Sequence, residues 1–212
     1  MLNAMLSFAG WEAAISDRVL PGPALQPRLS RDLAAAPDET LLAWAGEGDR
    51  MAFDQLALRH LGRLHQVALR ITGRPAEAEE AVQDAMLSAW RNAARFDPAR
   101  ARAGTWLYSI TAHAAIDRAR RPAPMPLEAA GDPADPAADP ETRLAERQRQ
   151  EQLQAAMADL PPRQRAALAL AYDQGLSGAE AAAALSVSLR GLEGLLRRAR
   201  GLLAARLRGT PE

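Results

Sequence analysis

Six prolines fall between Pro122 and Pro140, and the stretch Pro122 to Thr142 carries five acids and no base. Such a composition cannot bury enough apolar surface to offset the entropy of ordering it. It therefore divides the chain, because apolar residues recur at helical spacing on both sides of it. Two small bodies are expected, residues 38–121 and residues 141–208, joined by a flexible linker over residues 122–140. Residues 1–37 contain Pro21, Pro23, Pro27 and Pro37 with little periodicity and read as a loose N-terminal extension.

About half of the 212 residues are apolar, 4% are aromatic, and alanine is abundant while β-branched residues are few. Summed helix propensity is high along most of the chain, so the expected fold class is all-α. In residues 38–121 the pattern gives helices over Glu39–Ala45, Asp49–Thr72 closed by Gly73, Ala76–Arg95 and Thr105–Arg121.

The formal net charge is zero, but it is segregated. Arg91 to Arg121 carries seven Arg against two Asp, and Leu160 to Arg208 carries eight Arg against three acids. Two basic regions flanking an acidic one point to a polyanionic partner more strongly than the total does. Every base is Arg, which suits bidentate phosphate and guanine contacts. Cysteine is absent, which excludes disulfides, thiol catalysis and Cys-based zinc sites. In Met1 to Leu20 the first positive charge, Arg18, follows the apolar run, and Glu12 interrupts that run well short of a membrane span. No membrane insertion is expected, and the chain reads as cytoplasmic.

The stretch SGAEAAAALSVSLRGLEGLLRRAR, Ser177 to Arg200, carries two helix signals. Ser177 and Glu180 form an S-x-x-E capping box, opening a helix that runs to Leu185. Ser186, Val187 and Ser188 break the pattern, and Ser188 can cap a second helix. There Leu192, Leu195, Leu196, Ala199, Leu202, Leu203 and Leu207 share one face, with Arg190, Glu193, Gly194, Arg197 and Arg208 opposite. With a preceding helix over Pro161–Tyr172, this describes a helix-turn-helix. A helical hairpin with a solvated charged face has the same pattern.

Leu160 to Ser188 resembles the fourth conserved region of bacterial sigma factors, especially the small extracytoplasmic-function type, and RGLEGLLRRAR resembles a variant of that region's ending. Upstream, EAEEAVQDAMLSAW, Glu77 to Trp90, and GTWLYSITAHAAIDRARR, Gly104 to Arg121, resemble the second conserved region of the same family. The resemblance covers roughly Asp38 to Leu207. It implies a subunit that binds core RNA polymerase, directs it to promoter DNA and helps open the duplex, with no cofactor of its own and with an anti-sigma factor as a further partner.

By that resemblance Glu80, Gln83, Asp84 and Leu87 contact the polymerase clamp. The residues agree, since Val82, Ala85, Met86 and Ala89 face one way on their helix while Glu77, Glu80, Asp84 and Leu87 face the other, an acidic surface suited to a basic protein partner. The resemblance places the minus-ten element against the loop with Arg100 and Arg102 and the helix after it. Arginines there would hold the backbone while a pocket reads an extruded base. Trp106 shares a face with Ile110 and Ala114 and is expected in the core, leaving Tyr108 as the ring available to stack. Arg118, Arg120 and Arg121 are expected at phosphates. His113 stands where the family has Asn, which puts selectivity at that contact in question. For the minus-thirty-five element the expected readers are Ser188, Arg190, Glu193, Gly194, Arg197, Arg198 and Arg200. The linker is expected to thread a basic channel of polymerase.

Two other classes compete. A helix-turn-helix regulator that never joins polymerase would need neither the acidic face nor the second DNA-contacting domain. An enzyme would need a site, and His60 and His65 lie on opposite sides of one helix, with no glycine-rich phosphate loop and no nucleophile beside a base. Catalysis is not expected.

Overall fold

The computed structural model describes residues 31–121, 152–153 and 155–208. Residues 1–30 of the extension and the whole linker, residues 122–140, lie outside the described residues. Among those described there is no strand.

The first group of helices begins with α1 (Asp38–Gly46). α2 (Arg50–Thr72) opens where Asp49 accepts from the Ala52 amide at 3.3 Å, and it closes at Gly73, whose φ of 70° lets its N–H reach the Leu69 carbonyl. α3 (Pro75–Asn92) starts on a proline, which sacrifices no helical hydrogen bond there, and runs into a 3₁₀ turn, Ala93–Arg95. α4 (Ala103–Ala119) follows a loop, and the Ala103 amide donates to Glu39 at 3.1 Å, tying its start to α1.

Leu41, Leu42, Phe53, Leu56, Leu64, Ile71 and Leu107 are fully buried between these helices. α3 contributes Ala78, Ala81, Ala85 and Ala89, small side chains that let its neighbours approach closely. Gly46 serves a similar end: a Cβ there would lie 2.9 Å from the Ala94 Cα. Phe53 and Trp90 meet edge to face at 5.3 Å.

The last residues assigned to the loose extension are held in place. Arg59 donates to the carbonyls of Leu33, Ala34 and Ala36 and to the Asp38 carboxylate, which also meets His60 Nε2 at 2.6 Å. Burial pushes the Asp38 carboxyl up, but the Arg59 and His60 hydrogen bonds and charges outweigh it and hold the group below its ordinary value.

The second group opens with α5 (Pro162–Leu168), which widens into a π turn over Ala169–Asp173 rather than continuing as α-helix to Tyr172. α6 (Gly178–Ala184) has the full Ser177–Glu180 capping box. Ser188 caps α7 (Leu189–Arg208) by accepting from the Gly191 amide at 3.1 Å. Between α6 and α7 the chain turns through Ser186 at a φ of 53°. Met157, Leu160, Leu168 and Ala199 form a buried cluster, with Leu153, Leu196 and Leu203 packed against it.

The expected apolar stripe of α7 is narrower than its leucines suggest. Leu202 and Leu207 are each 46% exposed. At helical spacing they stand about 60° and about 80° to either side of Ala199, on the flanks of the covered arc.

The two groups pack on each other, α5 and its π turn against α2 and α6 against α4.

Candidate functional site

Three surfaces collect the residues singled out in the sequence. On α3, the side chains of Glu80 and Asp84 are more than half exposed, Gln83 is exposed and Leu87 half-buried, while Val82, Ala85, Met86 and Ala89 line the core. The helix is amphipathic in the sense read from the sequence. Its acidic face is nevertheless not bare. Arg118, near the end of α4, lays its guanidinium over it, 2.7 Å from Asp84, in contact with Glu80 and 3.7 Å from Glu77. The Arg118 side chain is only 13% exposed. Burial lowers its pKa, but Asp84 and Glu80 outweigh that and leave it above its ordinary value.

The second surface lies along α4 and the loop before it. Arg100 and Arg102 are exposed, as are Arg120 and Arg121, with Arg120 3.5 Å from Asp117. His113 is half-buried and places Nδ1 2.8 Å from the Ser109 carbonyl. A carbonyl only accepts, so Nδ1 carries the proton, and Nε2 is the acceptor of the neutral ring.

The third surface is the outer side of α7. Arg190, Glu193, Gly194, Arg197 and Arg200 line one shallow groove, opposite Leu192 and Ala199. Ser188, Arg198 and the four other charged residues are exposed. A Cβ on Gly194 would meet only the Arg198 guanidinium, at 3.4 Å.

Comparison with known proteins decides between a regulator and a polymerase subunit. Residues 56–123 match the Sigma-70 region 2 family and residues 150–203 match Sigma-70 region 4. The chain is 42% identical over 173 residues to the ECF RNA polymerase sigma factor SigM of Mycobacterium tuberculosis, covering 79% of this chain and 83% of that protein. It is 32% identical over 180 residues to the RNA polymerase sigma factor CnrH of Cupriavidus metallidurans, covering 80% and 94%. A solved structure of CnrH in complex with the cytosolic domain of CnrY superposes with a TM-score of 0.60 at 28% identity, over 82% of this chain and 99% of that one. The chain belongs to the extracytoplasmic-function sigma factors. It is a transcription initiation factor that binds core RNA polymerase and directs it to promoters, not a regulator acting apart from polymerase. No described helix is long and apolar enough to cross a membrane.

Three expectations for this sigma factor need correction. Tyr108, expected as the available ring, is 6% exposed; its hydroxyl donates to Gln174 Oε1 at 2.9 Å, and burial pushes its pKa up. Trp106, expected in the core, is half-buried rather than fully buried, with its ring against Phe96 at 5.5 Å. The cause is that α4 is covered on two sides. The first core takes Leu107, Thr111 and Ala115, and the C-terminal group covers the adjoining face at Tyr108. Arg118, expected at phosphates, is committed to the acids of α3 because the two helices bring position 118 against positions 80 and 84.

Sequence reasoning missed Ser109, whose hydroxyl donates to the Ala184 carbonyl at 2.8 Å, and the Arg70–Asp173 pair at 2.8 Å. Neither had a signal in the sequence, since each joins residues far apart in the chain.

Proposed function

We propose that this sigma factor divides its work among the three surfaces. Glu80, Gln83, Asp84 and Leu87 bind the core polymerase. Arg100, Arg102, His113, Arg120 and Arg121 hold and read the minus-ten element as the DNA opens, with the half-buried Trp106 as the more accessible ring. Ser188, Arg190, Glu193, Gly194, Arg197, Arg198 and Arg200 read the minus-thirty-five element from the major groove. The observation that carries this reading is the groove of Arg190, Glu193, Gly194, Arg197 and Arg200, which gathers bidentate donors and one acceptor on a single solvent-facing side of a helix-turn-helix.

The protein supplies binding energy and position rather than catalysis, works in the cytoplasm with polymerase and is held by an anti-sigma partner. Support for that partner comes from CnrH, whose solved structure is a complex with the cytosolic domain of CnrY.

Transcription from genomic promoter fragments with purified core polymerase tests the whole. Discrete start sites that depend on this chain are expected. Their absence, with core and chain each shown to be active in binding, would reject the assignment.

A further inference from the structure

We propose that Arg118 is a positioning residue for polymerase binding: from α4 it holds one oxygen each of Glu80 and Asp84 and leaves the other oxygen of each carboxylate to donors on core polymerase. The inference rests on the assignment of the α3 face to polymerase given above.

The hydrogen bonds of Arg118 use only half of each carboxylate. Its Nε and Nη2 both donate to Asp84 Oδ2, at 3.1 and 2.7 Å, and its Nη1 donates to Glu80 Oε2. Asp84 Oδ1 and Glu80 Oε1 have no hydrogen-bond partner among the described residues. An ionised carboxylate accepts through both oxygens, so Arg118 does not exhaust either group. The side chains of Asp84 and Glu80 are 56% and 58% exposed, while that of Arg118 is 13% exposed. Each acid is thus fixed from beneath by a largely buried cation and open to solvent on its outer side. A polymerase cation would meet the open oxygens without displacing Arg118.

The acids need such a holder. Glu77, Glu80 and Asp84 stand three and four residues apart, the spacing at which like charges on one helix repel. Left alone, their side chains would splay and would have to be ordered at the moment of binding. Arg118 is itself ordered by the packing of α4 on α3, so the ordering of Glu80 and Asp84 is met in folding rather than at the polymerase surface. The planar guanidinium fork suits the task because its donors reach two carboxylates at once, whereas a lysine ammonium is a compact point charge. Arg120 and Arg121, two and three residues further on, are exposed. The end of α4 therefore divides its cations, one turned to a protein face and two to solvent.

A double-mutant cycle on the affinity of the full chain for purified core polymerase, with no DNA present, tests the proposal. Arg118→Gln keeps part of the apolar stem and removes the charge, and it should weaken core binding about fivefold, or about 1 kcal/mol. Arg118→Lys should recover part of that loss. In a Glu80→Ala, Asp84→Ala background Arg118→Gln should cost nothing further, because the groups it acts through are gone. If Arg118→Gln melts below the assay temperature, Arg118→Lys is read in the same cycle, with an expected loss of about twofold. Core binding by Arg118→Gln equal to the parent's, or tighter, overturns the proposal, since the guanidinium would then be idle or a competitor of polymerase. An equal loss in the double-alanine background, or no recovery with lysine, overturns it too, because Arg118 would then act on the fold and not through the two carboxylates. If Glu80→Ala with Asp84→Ala itself binds core like the parent, the α3 assignment is what has failed.

Discussion

Arg118 places its guanidinium 2.7 Å from the Asp84 carboxylate, joining the end of α4 to the face of α3 assigned to polymerase. One arginine thus gathers three acids, Glu77, Glu80 and Asp84, and fixes where their charge is presented. Arg118→Ala is therefore expected to leave the salt dependence of DNA binding unchanged. Arg121→Ala, at an exposed position, should flatten it by about one unit of slope. Titrations over a range of salt distinguish the two. A flattened slope for Arg118→Ala would return that residue to the phosphates.

On α7, Arg197→Ala should lose about 1 to 3 kcal/mol on the preferred minus-thirty-five sequence and little on scrambled duplex. Arg200→Ala should weaken both alike. Competition binding reads the difference, and equal losses for Arg197→Ala would make it a backbone contact.

Gly194 lies in the reading helix with only a mobile guanidinium near its missing Cβ. Gly194→Ala should raise stability by roughly 1 kcal/mol, the helix cost of glycine relative to alanine. If the helix backbone approaches the DNA there, affinity for the minus-thirty-five duplex should fall at the same time. A stabilised variant with unchanged affinity would remove Gly194 from the interface.

Asp38 has its pKa held below the ordinary value by Arg59 and His60. A depressed carboxyl contributes stability above its unfolded pKa and loses it as pH falls through the folded value. Melting temperature should therefore drop below about pH 4. Asp38→Asn should be less stable at neutral pH and show a shallower loss with acid. Parallel acid profiles for both proteins would mean the pair carries no net linkage.

The helices were legible in the sequence because local chemistry marks their ends. Asp49, Gly73, the Ser177–Glu180 box and Ser188 each act within four residues of where they stand. The acidic face of α3 and the Arg-rich face of α7 were legible for the same reason, since one helical period sets both. What was not legible depends on distant segments. Tyr108 is buried by Gln174, 66 positions away, and Arg118 is claimed by Glu80, 38 positions away. Helical period alone cannot separate a face that meets the core from one that meets a second domain. α4 has both, so Tyr108 is the more deeply buried of the two rings and Trp106 only half-buried. The leucines of α7 failed more mildly, because a count of apolar positions does not give the width of the arc their neighbours cover.

The most direct test of the central claim is the affinity of the full chain for purified core RNA polymerase with no DNA present. Glu80→Ala combined with Asp84→Ala should weaken it by at least about tenfold, or about 1.4 kcal/mol. Glu77 stays 3.7 Å from Arg118 in the double variant, so its far-ultraviolet circular dichroism should match the parent's. Arg197→Ala should bind core like the parent. Equal core affinity for the parent and the double variant, both folded, would contradict the account.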